Sequence, residues 1–323
     1  MSDQGAVSLP TYDRSSLKPG IIHIGLGNFH RAHMAVYLDD LFALGEGKDW
    51  AILGAGVRPA DAQMRAALKA QGCLSTVIEL DPKGKRARRV GSMIDFIEVA
   101  ETNGPLVAAM TDPAIRIVSL TVTEGGYYVD AATGEFDPTH PDILADAARP
   151  DHPRTAFGAI VAALKARRAA GTSPFTVLSC DNLPGNGDAT KAAVIGTARL
   201  SDPVLADWIA AHVAFPNGMV DRITPATGDR ERAMAASFGL ADDPVPVTCE
   251  PFRQWVIEDN FPSGRPALEK VGVTFTPHVH AFEKMKIRIL NGGHAVIAYP
   301  GGLMGIEYVH EAMADPLILG FLN

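Results

Sequence analysis

The sequence predicts an α/β protein in which a doubly wound parallel sheet is followed by a mainly helical domain. Short apolar runs rich in β-branched residues alternate with amphipathic stretches, which is typical of βαβ units whose sheet is covered on both faces. We expect strands at 21–24, 50–53, 74–80, 115–121, 175–179 and 271–275. Helical patterning covers 32–43, 61–71 and 155–170.

The hydrophobic pattern changes after the last of these strands, and from there a helical period continues nearly to the end of the sequence. We therefore divide the chain into a first domain at 1–277 and a second at 278–323. The second range is short for an independent domain and ends in an apolar stretch without a helix stop signal. We expect this helical domain to be incomplete, with Ile318, Leu319 and Phe321 exposed.

The composition favours a cytoplasmic protein without a nucleic-acid or membrane partner, and of the open oligomeric states we favour the monomer. The chain has 323 residues, 47% of them hydrophobic, a net charge of -8 and a pI of about 5.7, which does not suit a nucleic-acid binder. The polar segment 1–20 lacks the apolar core of a signal peptide, and no apolar run approaches the length of a membrane span. Three dispersed cysteines argue against a disulfide framework. The basic run at 83–89 is expected to be the solvated tip of a hairpin.

A glycine-rich turn follows the first predicted strand. Gly25-Leu26-Gly27 begins like a G-x-G-x-x-G turn, but His30 stands at the third glycine position. The first glycine permits the tight turn, and the second lets the backbone approach a pyrophosphate at the start of a helix. The context indicates a Rossmann-type dinucleotide site, although an ordinary strand-to-helix turn has the same pattern. The candidate cofactor contacts here are Gly25, Gly27, Asn28, Phe29 and Arg31.

An acidic residue after the second strand of a Rossmann domain commonly holds the adenosine ribose. Asp61 is the carboxylate nearest the end of the second predicted strand. Its alternative role is to cap the following helix. Arg58 complicates the choice of cofactor, since an arginine there could take the 2′-phosphate of NADP. We expect NAD.

The stretch 283–294 carries a constellation of polar side chains. On an α-helix with Lys286 at zero, Glu283 falls at about 60°, His294 at about 80° and Asn291 at about 140°. A carboxylate, a lysine, an amide and an imidazole then share one arc, as in a functional face or a solvated one. The two glycines at 292–293 are costly inside a helix and suggest close approach of a ligand or another backbone.

Two further polar clusters follow strand-like runs. Asn182 lies in the segment 179–187, which is either part of a binding crevice or a turn rich in Asp, Asn and Gly. Asp221 precedes Arg222 in an apolar strand, where the pair is either functional or a structural salt bridge. The histidine pairs at 30 and 33 and at 278 and 280 have no acid or cysteine that completes a metal site.

These segments together resemble the mannitol 2-dehydrogenase family of polyol-specific long-chain dehydrogenases. The resemblance covers nearly the whole chain and rests on six motifs that occur in order with family-like spacing. They are GLGNFHRAH (25–33), SLTVTEGGYY (119–128), SCDNLPGNG (179–187), MVDRITP (219–225), CEPFRQWVIEDNF (249–261) and the K-x4-N-x2-H pattern (286–294).

The resemblance implies a role for each candidate site residue. Lys286 matches the general base, while Asn182 and Asn291 match the two amides that hold the reacting oxygen. His294 and Asp221 match substrate-binding residues. Glu283 matches an acid that assists the exit of the proton, and Asp61 matches a ribose contact that favours NAD. The family uses no metal.

The resemblance also implies the reaction, which is NAD-dependent interconversion of a sugar alcohol and its ketose. Mannitol and fructose are the first pair, arabinitol or another polyol is the second, and fructuronate reduction is the third. Family members extend beyond residue 323 with further substrate contacts, so the resemblance implies a C-terminal truncation. The rival from another class is a catalytically silent nucleotide-binding or scaffolding protein.

Overall fold

A computed structural model describes residues 6–322. The expectations for the N-terminal segment and for the end of the chain also cover residues 1–5 and 323, which lie outside that range. The chain divides into two compact units, Met1–Thr276 and Pro277–Asn323. No helix within the described range is long and apolar enough to cross a membrane.

Eleven strands lie in the described part of the first unit. They are β1 Pro19–Ile24, β2 Ala51–Ala55, β3 Ser75–Asp81, β4 Gly84–Val90, β5 Met93–Phe96, β6 Ile117–Leu120, β7 Thr176–Ser179, β8 Gly218–Asp221, β9 Val247–Cys249, β10 Gln254–Ile257 and β11 Thr274–Phe275.

The α-helices cover the sheet and then form the second unit. Those of the first unit are α1 Asn28–Ala32, α2 Met34–Ala43, α3 Asp61–Ala70, α4 Gly104–Met110, α5 Pro141–Ala148, α6 Ala156–Ala170, α7 Asn186–Ser201, α8 Pro203–His212 and α9 Asp229–Ser237. Those of the second unit are α10 Val279–Met285, α11 Gly292–Leu303, α12 Val309–Ala314 and α13 Pro316–Leu322. Single 3-10 turns form at Arg14–Ser16, Glu124–Tyr127 and Leu268–Val271.

The central sheet confirms the predicted Rossmann-type fold. Its strand order is β5-β2-β1-β6-β7, and each neighbouring pair is parallel. Ile21 packs in one hydrophobic core, whereas Ile22 and Ile24 pack in the core on the opposite face, because successive strand residues point to opposite sides. Strand β1 lies in the middle of the sheet, with β2 beside it on one side and β6 beside it on the other. The direction in which strands are added to the sheet therefore reverses at β1. Ligands bind at this kind of switch point, outside the carboxyl ends of the strands.

Two smaller sheets adjoin the central sheet, with strand orders β4-β3-β9 and β11-β10-β8. They correct the expectation that 83–89 is only a solvated hairpin tip. Strand β4 pairs antiparallel with β3 along its length, and two of its arginines are partly buried in ion pairs. Arg88 binds Asp39 and Asp40, and Arg89 lies 3.5 Å from Asp243.

Most predicted strands and helices agree with the structure to within two residues at each end, but two elements differ more. The helical stretch expected at 32–43 already begins at Asn28 and is interrupted at His33, whose backbone has φ -118° and ψ -92°. The strand expected at 271–275 is reduced to β11, because the residues before it form a 3-10 turn.

The second unit is a group of short helices around a small apolar core. The core contains Ile297, Ala312 and Ile318, with Ile306 and Leu322 packed against it. The expected exposure of Ile318 is therefore wrong, since its side chain is 1% exposed. A π-helix at Lys286–Asn291 joins α10 to α11, so the continuous α-helix expected across 283–294 is wrong as well.

Candidate cofactor cleft and catalytic residues

The glycine-rich turn between β1 and α1 has the features that the sequence predicts for it. Gly25 has φ +99°, and a Cβ added there would lie 2.1 Å from the carbonyl oxygen of Thr121. The position is therefore closed to any side chain. A Cβ at Gly27 would meet no atom within 4 Å, so this backbone faces open space. An incoming pyrophosphate can approach the chain there.

A histidine that the sequence analysis did not select stabilises this turn through hydrogen bonds. His23 lies in β1, and its Nε2 is 3.1 Å from the carbonyl oxygen of Gly25 and 2.9 Å from Oγ1 of Thr121. Its Nδ1 is 2.7 Å from the hydroxyl of Ser119. Since a carbonyl only accepts, Nε2 carries the proton and Nδ1 accepts from Ser119. A polar residue inside an otherwise apolar strand, next to the glycine turn, was the signal that could have revealed it.

His30 fills the space that a third glycine would leave open. Its ring stacks on that of His23, with centroids 3.5 Å apart and planes 16° apart. Within the described residues neither ring nitrogen of His30 has a hydrogen-bond partner, and the side chain is buried. Burial lowers the pKa of His23 to about 3 and lowers the pKa of His30 well below its usual value. Both imidazoles are therefore neutral near pH 7.

The next predicted cofactor contacts brace the turn against neighbouring loops. The amide nitrogen of Asn28 donates to the carbonyl oxygen of Pro225 at 2.6 Å and to Oγ1 of Thr227 at 3.0 Å. The guanidinium of Arg31 is buried and donates to Gly27, Asn28 and Val245.

Phe29 stacks on His33 with ring centroids 4.6 Å apart. Together with Asn28 and Arg31, it also lines a cleft in this unit. The structure thus gives all three residues a supporting position at the cleft wall.

Asp61 is the first residue of α3, and its carboxylate closes the preceding loop. Oδ2 accepts from the backbone N–H groups of Val57 and Arg58, each at 3.0 Å. Oδ1 lies 3.1 Å from Nη2 of Arg58. The N-cap residue of α3 is Ala60 and no side chain caps it, so the alternative in which Asp61 caps this helix is wrong. The Asp61 side chain instead lines a cavity at the end of β2.

Two cavities adjoin the glycine turn within the first unit. One, of about 810 Å³, is lined by Gly25, Asp61 and the start of α6. The other, of about 1030 Å³, is lined by Gly27, Asn182 and the loops before and after α9. Thr121 and Thr123 line both cavities, so the two share a boundary at the carboxyl end of β6. We call the larger one the cofactor cleft.

The loop after β7 is held by a buried polar network. The carboxylate of Asp181 accepts from the hydroxyl of Tyr127 at 2.6 Å and from the N–H groups of Val122 and Thr123 at 3.0 Å. Burial raises the pKa of Asp181, although these hydrogen bonds act in the opposite direction. Asp181 therefore ties the loop after β6 to the loop after β7. Asn182, the next residue, is exposed and lines the cofactor cleft.

Asn186, the first residue of α7, is another residue that the sequence analysis did not single out. It is fully buried, and its Oδ1 accepts from the N–H of Gly218 at 2.8 Å. Its Nδ2 donates to the carbonyl oxygen of Asp181 at 3.1 Å. Asn186 therefore fixes the loop carrying Asn182 to the start of β8, the strand that ends at Asp221.

Arg222 has a structural role, but its ion-pair partner is Glu79 and not the adjacent Asp221. Its guanidinium is fully buried and pairs with Glu79 at 2.6 Å. It also donates to the carbonyl oxygens of Ala32 and Glu250. The ion pair thus connects the residue that follows β8 to β3, while Asp221 lies at the end of β8, partly exposed.

The remaining predicted catalytic residues lie in the second unit. Glu283 is buried, and its Oε2 lies 2.7 Å from Nδ1 of His280. Lys286 and Asn291 are the first and last residues of the π-helix, and His294 follows in α11, partly exposed. Of the residues that the structure describes, no three His, Cys, Asp or Glu side chains form a group that could hold a metal ion.

Both units match models of one family. Residues 19–270 match the model described as the mannitol dehydrogenase Rossmann domain, and residues 278–323 match the mannitol dehydrogenase C-terminal domain. A mannitol 2-dehydrogenase from Cereibacter sphaeroides is 74% identical over 318 residues, which are 98% of this chain and 66% of the relative. A mannitol 2-dehydrogenase from Phaeosphaeria nodorum is 47% identical over 98% of this chain and 56% of the relative.

Solved structures show the same similarity. The ternary complex of Pseudomonas fluorescens mannitol 2-dehydrogenase with NAD and D-mannitol has a TM-score of 0.90 at 50% identity, covering 98% of this chain and 64% of that one. A D-sorbitol dehydrogenase in substrate-free form has a TM-score of 0.92 at 43% identity, covering 98% and 66%. The chain thus spans 56–66% of the length of these relatives.

Proposed function

Because this chain belongs to the mannitol dehydrogenase family, we propose that it acts as an NAD-dependent polyol dehydrogenase that interconverts mannitol and fructose. The observation that carries the proposal is the 74% identity to a mannitol 2-dehydrogenase over 98% of this chain. The cleft beside the glycine turn is consistent with it. Arabinitol or another polyol is the second choice of substrate, and fructuronate is the third.

The residues around the turn fit a dinucleotide. The open space in front of Gly27 accommodates a pyrophosphate, and Asp61 lines the cavity at the end of β2, where a Rossmann domain holds the adenosine ribose. When bound, the nicotinamide supplies the acceptor for the hydride. The candidate contacts of the cofactor are Gly25, Gly27, Asn28, Phe29, Arg31 and Asp61.

Lys286 is the proposed general base for oxidation of the alcohol. Alcohol oxidation removes a hydroxyl proton, and a positioned amine in its neutral form can accept that proton. Asn291, one π-turn further along, and Asn182, on the loop after β7, are the proposed donors to the oxygen. Two amide N–H donors stabilise the negative charge that develops there.

His294 and Asp221 are the proposed substrate contacts, which hold hydroxyl groups of the polyol. Glu283 is the proposed relay for the proton leaving Lys286. Its contact with His280 supports this assignment, because a carboxylate hydrogen-bonded to an imidazole with 59% side-chain exposure has a path toward water. The segment 278–323 is the proposed start of the substrate-binding domain, and the chemistry assigned to these residues requires no metal.

A polyol panel with both cofactors tests the proposal. The panel is run on the chain as given and on a chain extended by the C-terminal part that the relatives have beyond this match. We expect the chain as given to bind NAD but to turn over polyol poorly, and we expect the extended chain to form NADH with mannitol and NAD, to lose no rate after prolonged chelation and to have lower efficiency with NADP. The Cereibacter sphaeroides relative serves as a positive control in the same assay. Binding of NADH without turnover of any polyol by the extended chain would favour the rival view of a catalytically silent nucleotide-binding protein. Loss of activity with EDTA and recovery with zinc would contradict the metal-free mechanism.

A further inference from the structure

We propose that Arg232, at the start of α9, binds the pyrophosphate of the dinucleotide and neutralises part of its charge. The inference rests on the proposed function for the identity of the ligand. It assigns a binding role to a residue outside the glycine turn that lines the same cofactor cleft. It also explains how an acidic chain with a net charge of -8 accommodates a doubly charged group.

Arg232 is held near the turn by contacts of the preceding loop. Arg232, Gly27 and Asn28 line the same cleft. The hydrogen bonds from Asn28 to Pro225 and Thr227 attach this loop to the glycine turn. The helix that follows starts at a defined point, since Oε2 of Glu231 accepts from the N–H of Gly228 at 2.8 Å. The arginine therefore projects from a fixed helix start rather than from a free loop.

The other charged residues that line the cleft either bind protein groups or are negatively charged. Of the described residues that line it, Arg31 and Arg232 are the two cations, and Glu124 and Asp181 are the anions. The guanidinium of Arg31 is buried and donates to three oxygen acceptors of the protein, so its N–H groups are occupied by structural hydrogen bonds. Helix α1 has only five residues and contributes a small dipole. Arg232 is the cation that remains available to a ligand.

The present partner of Arg232 is easily exchanged. Its Nη2 lies 2.7 Å from Oδ1 of Asp229, but the arginine side chain is 44% exposed and the aspartate is fully exposed. Such surface ion pairs contribute little to stability. A guanidinium also presents parallel N–H donors that match two phosphate oxygens better than a single carboxylate oxygen in this geometry. A bound pyrophosphate can therefore displace Asp229 at low cost.

The test measures binding to the chain itself and does not require turnover. NADH, ADP-ribose and adenosine are titrated against the unaltered chain and Arg232→Gln at two salt concentrations. The control is Arg230→Gln, which removes an exposed arginine from the same helix outside the cleft lining. We expect Arg232→Gln to weaken NADH and ADP-ribose about tenfold, to reduce the salt dependence of binding and to leave adenosine unchanged. Arg230→Gln should change none of these values.

Asp229→Asn gives an opposite test, because it releases Arg232 without removing it. We expect equal or tighter binding of NADH by this variant. Equal losses in the variants at 230 and 232 would show a general charge effect and overturn the inference. Unchanged NADH binding by Arg232→Gln, beside normal binding by the unaltered chain, would overturn the inference and leave the proposed function intact. Failure of the unaltered chain to bind NADH would overturn both.

Discussion

The stacked histidines beneath the glycine turn make the first unit sensitive to acid. Burial lowers the pKa of His23 to about 3, whereas an unfolded histidine has a pKa of about 6.5. The unfolded chain therefore takes up a proton that the folded chain rejects as the pH falls below 6.5. The stabilisation is complete above pH 6.5 and is lost progressively toward pH 3.

The size of the effect follows from these two pKa values. Between pH 7.5 and pH 5, the free energy of unfolding should fall by about 2 kcal/mol through His23 alone. His30 acts in the same direction, because burial and the neighbouring imidazole disfavour its charged form. The combined loss is a large fraction of the stability of an ordinary domain.

Urea unfolding followed by tryptophan fluorescence measures this loss. All three tryptophans, at positions 50, 208 and 255, lie in the first unit, so the signal reports that unit. His23→Gln keeps an amide donor for the carbonyl oxygen of Gly25 but does not titrate. His30→Phe removes an imidazole that has no hydrogen-bond partner among the described residues.

We expect each variant to lose less stability than the unaltered chain between pH 7.5 and pH 5. The glutamine variant should differ from it by about 2 kcal/mol in that pH-dependent loss. Carboxylates that also titrate in this range are common to both proteins and cancel in the comparison. Identical pH dependence in the unaltered chain and in both variants would refute the reasoning, because the buried imidazoles would then not be coupled to unfolding.

Three further substitutions test the proposed cofactor and catalytic residues. Lys286→Ala should reduce turnover by about 10²–10⁴-fold with little change in NADH affinity, and Lys284→Ala serves as the control; near-normal turnover would remove the general-base assignment. Asp61→Asn should reduce the ratio of catalytic efficiency with NAD to that with NADP by about tenfold, whereas a purely structural role would leave this ratio unchanged. Gly25→Ala should abolish NADH binding, since its Cβ would overlap the backbone at Thr121, while Gly45→Ala, at φ +82° with no atom within 4 Å, should retain it. Prolonged chelation should leave the rate unchanged, as measured by NADH formation before and after EDTA.

Short-range patterns predicted the fold because each element carries its own signal. The apolar run before Gly25 and the glycines of the turn specify a strand, a tight turn and a helix start within a few residues. The sequence also placed Asn182 in the loop that follows β7. Partners distant in the chain could not be predicted in this way. Glu79, the partner of Arg222, is separated from it by 143 positions, and adjacency had suggested Asp221 instead.

The histidine pair shows the same limit for the support of the turn. The sequence showed His30 as a departure from the glycine pattern and as one of a histidine pair, and its stacking on His23 depends on how closely α1 approaches β1. That approach is a tertiary property, and the two buried rings occupy the space between the elements. A pattern that records one residue at a time can indicate that a position is unusual, but packing decides what fills it.

The π-helix changes the geometry that regular helical spacing gives to the candidate catalytic face. In this segment the N–H of Gly292 donates to the carbonyl oxygen of Ile287, an i to i+5 bond that places one additional residue in the turn. Relative to Lys286, Asn291 therefore moves from about 140° to about 40°, and His294 moves from about 80° to about -20°. Lys286 and Asn291, the proposed base and one of the proposed amide donors, then stand one helical turn apart, as residues four apart do in an α-helix. Regular α-helical spacing thus placed the four proposed residues on one arc, and the inserted residue narrows that arc.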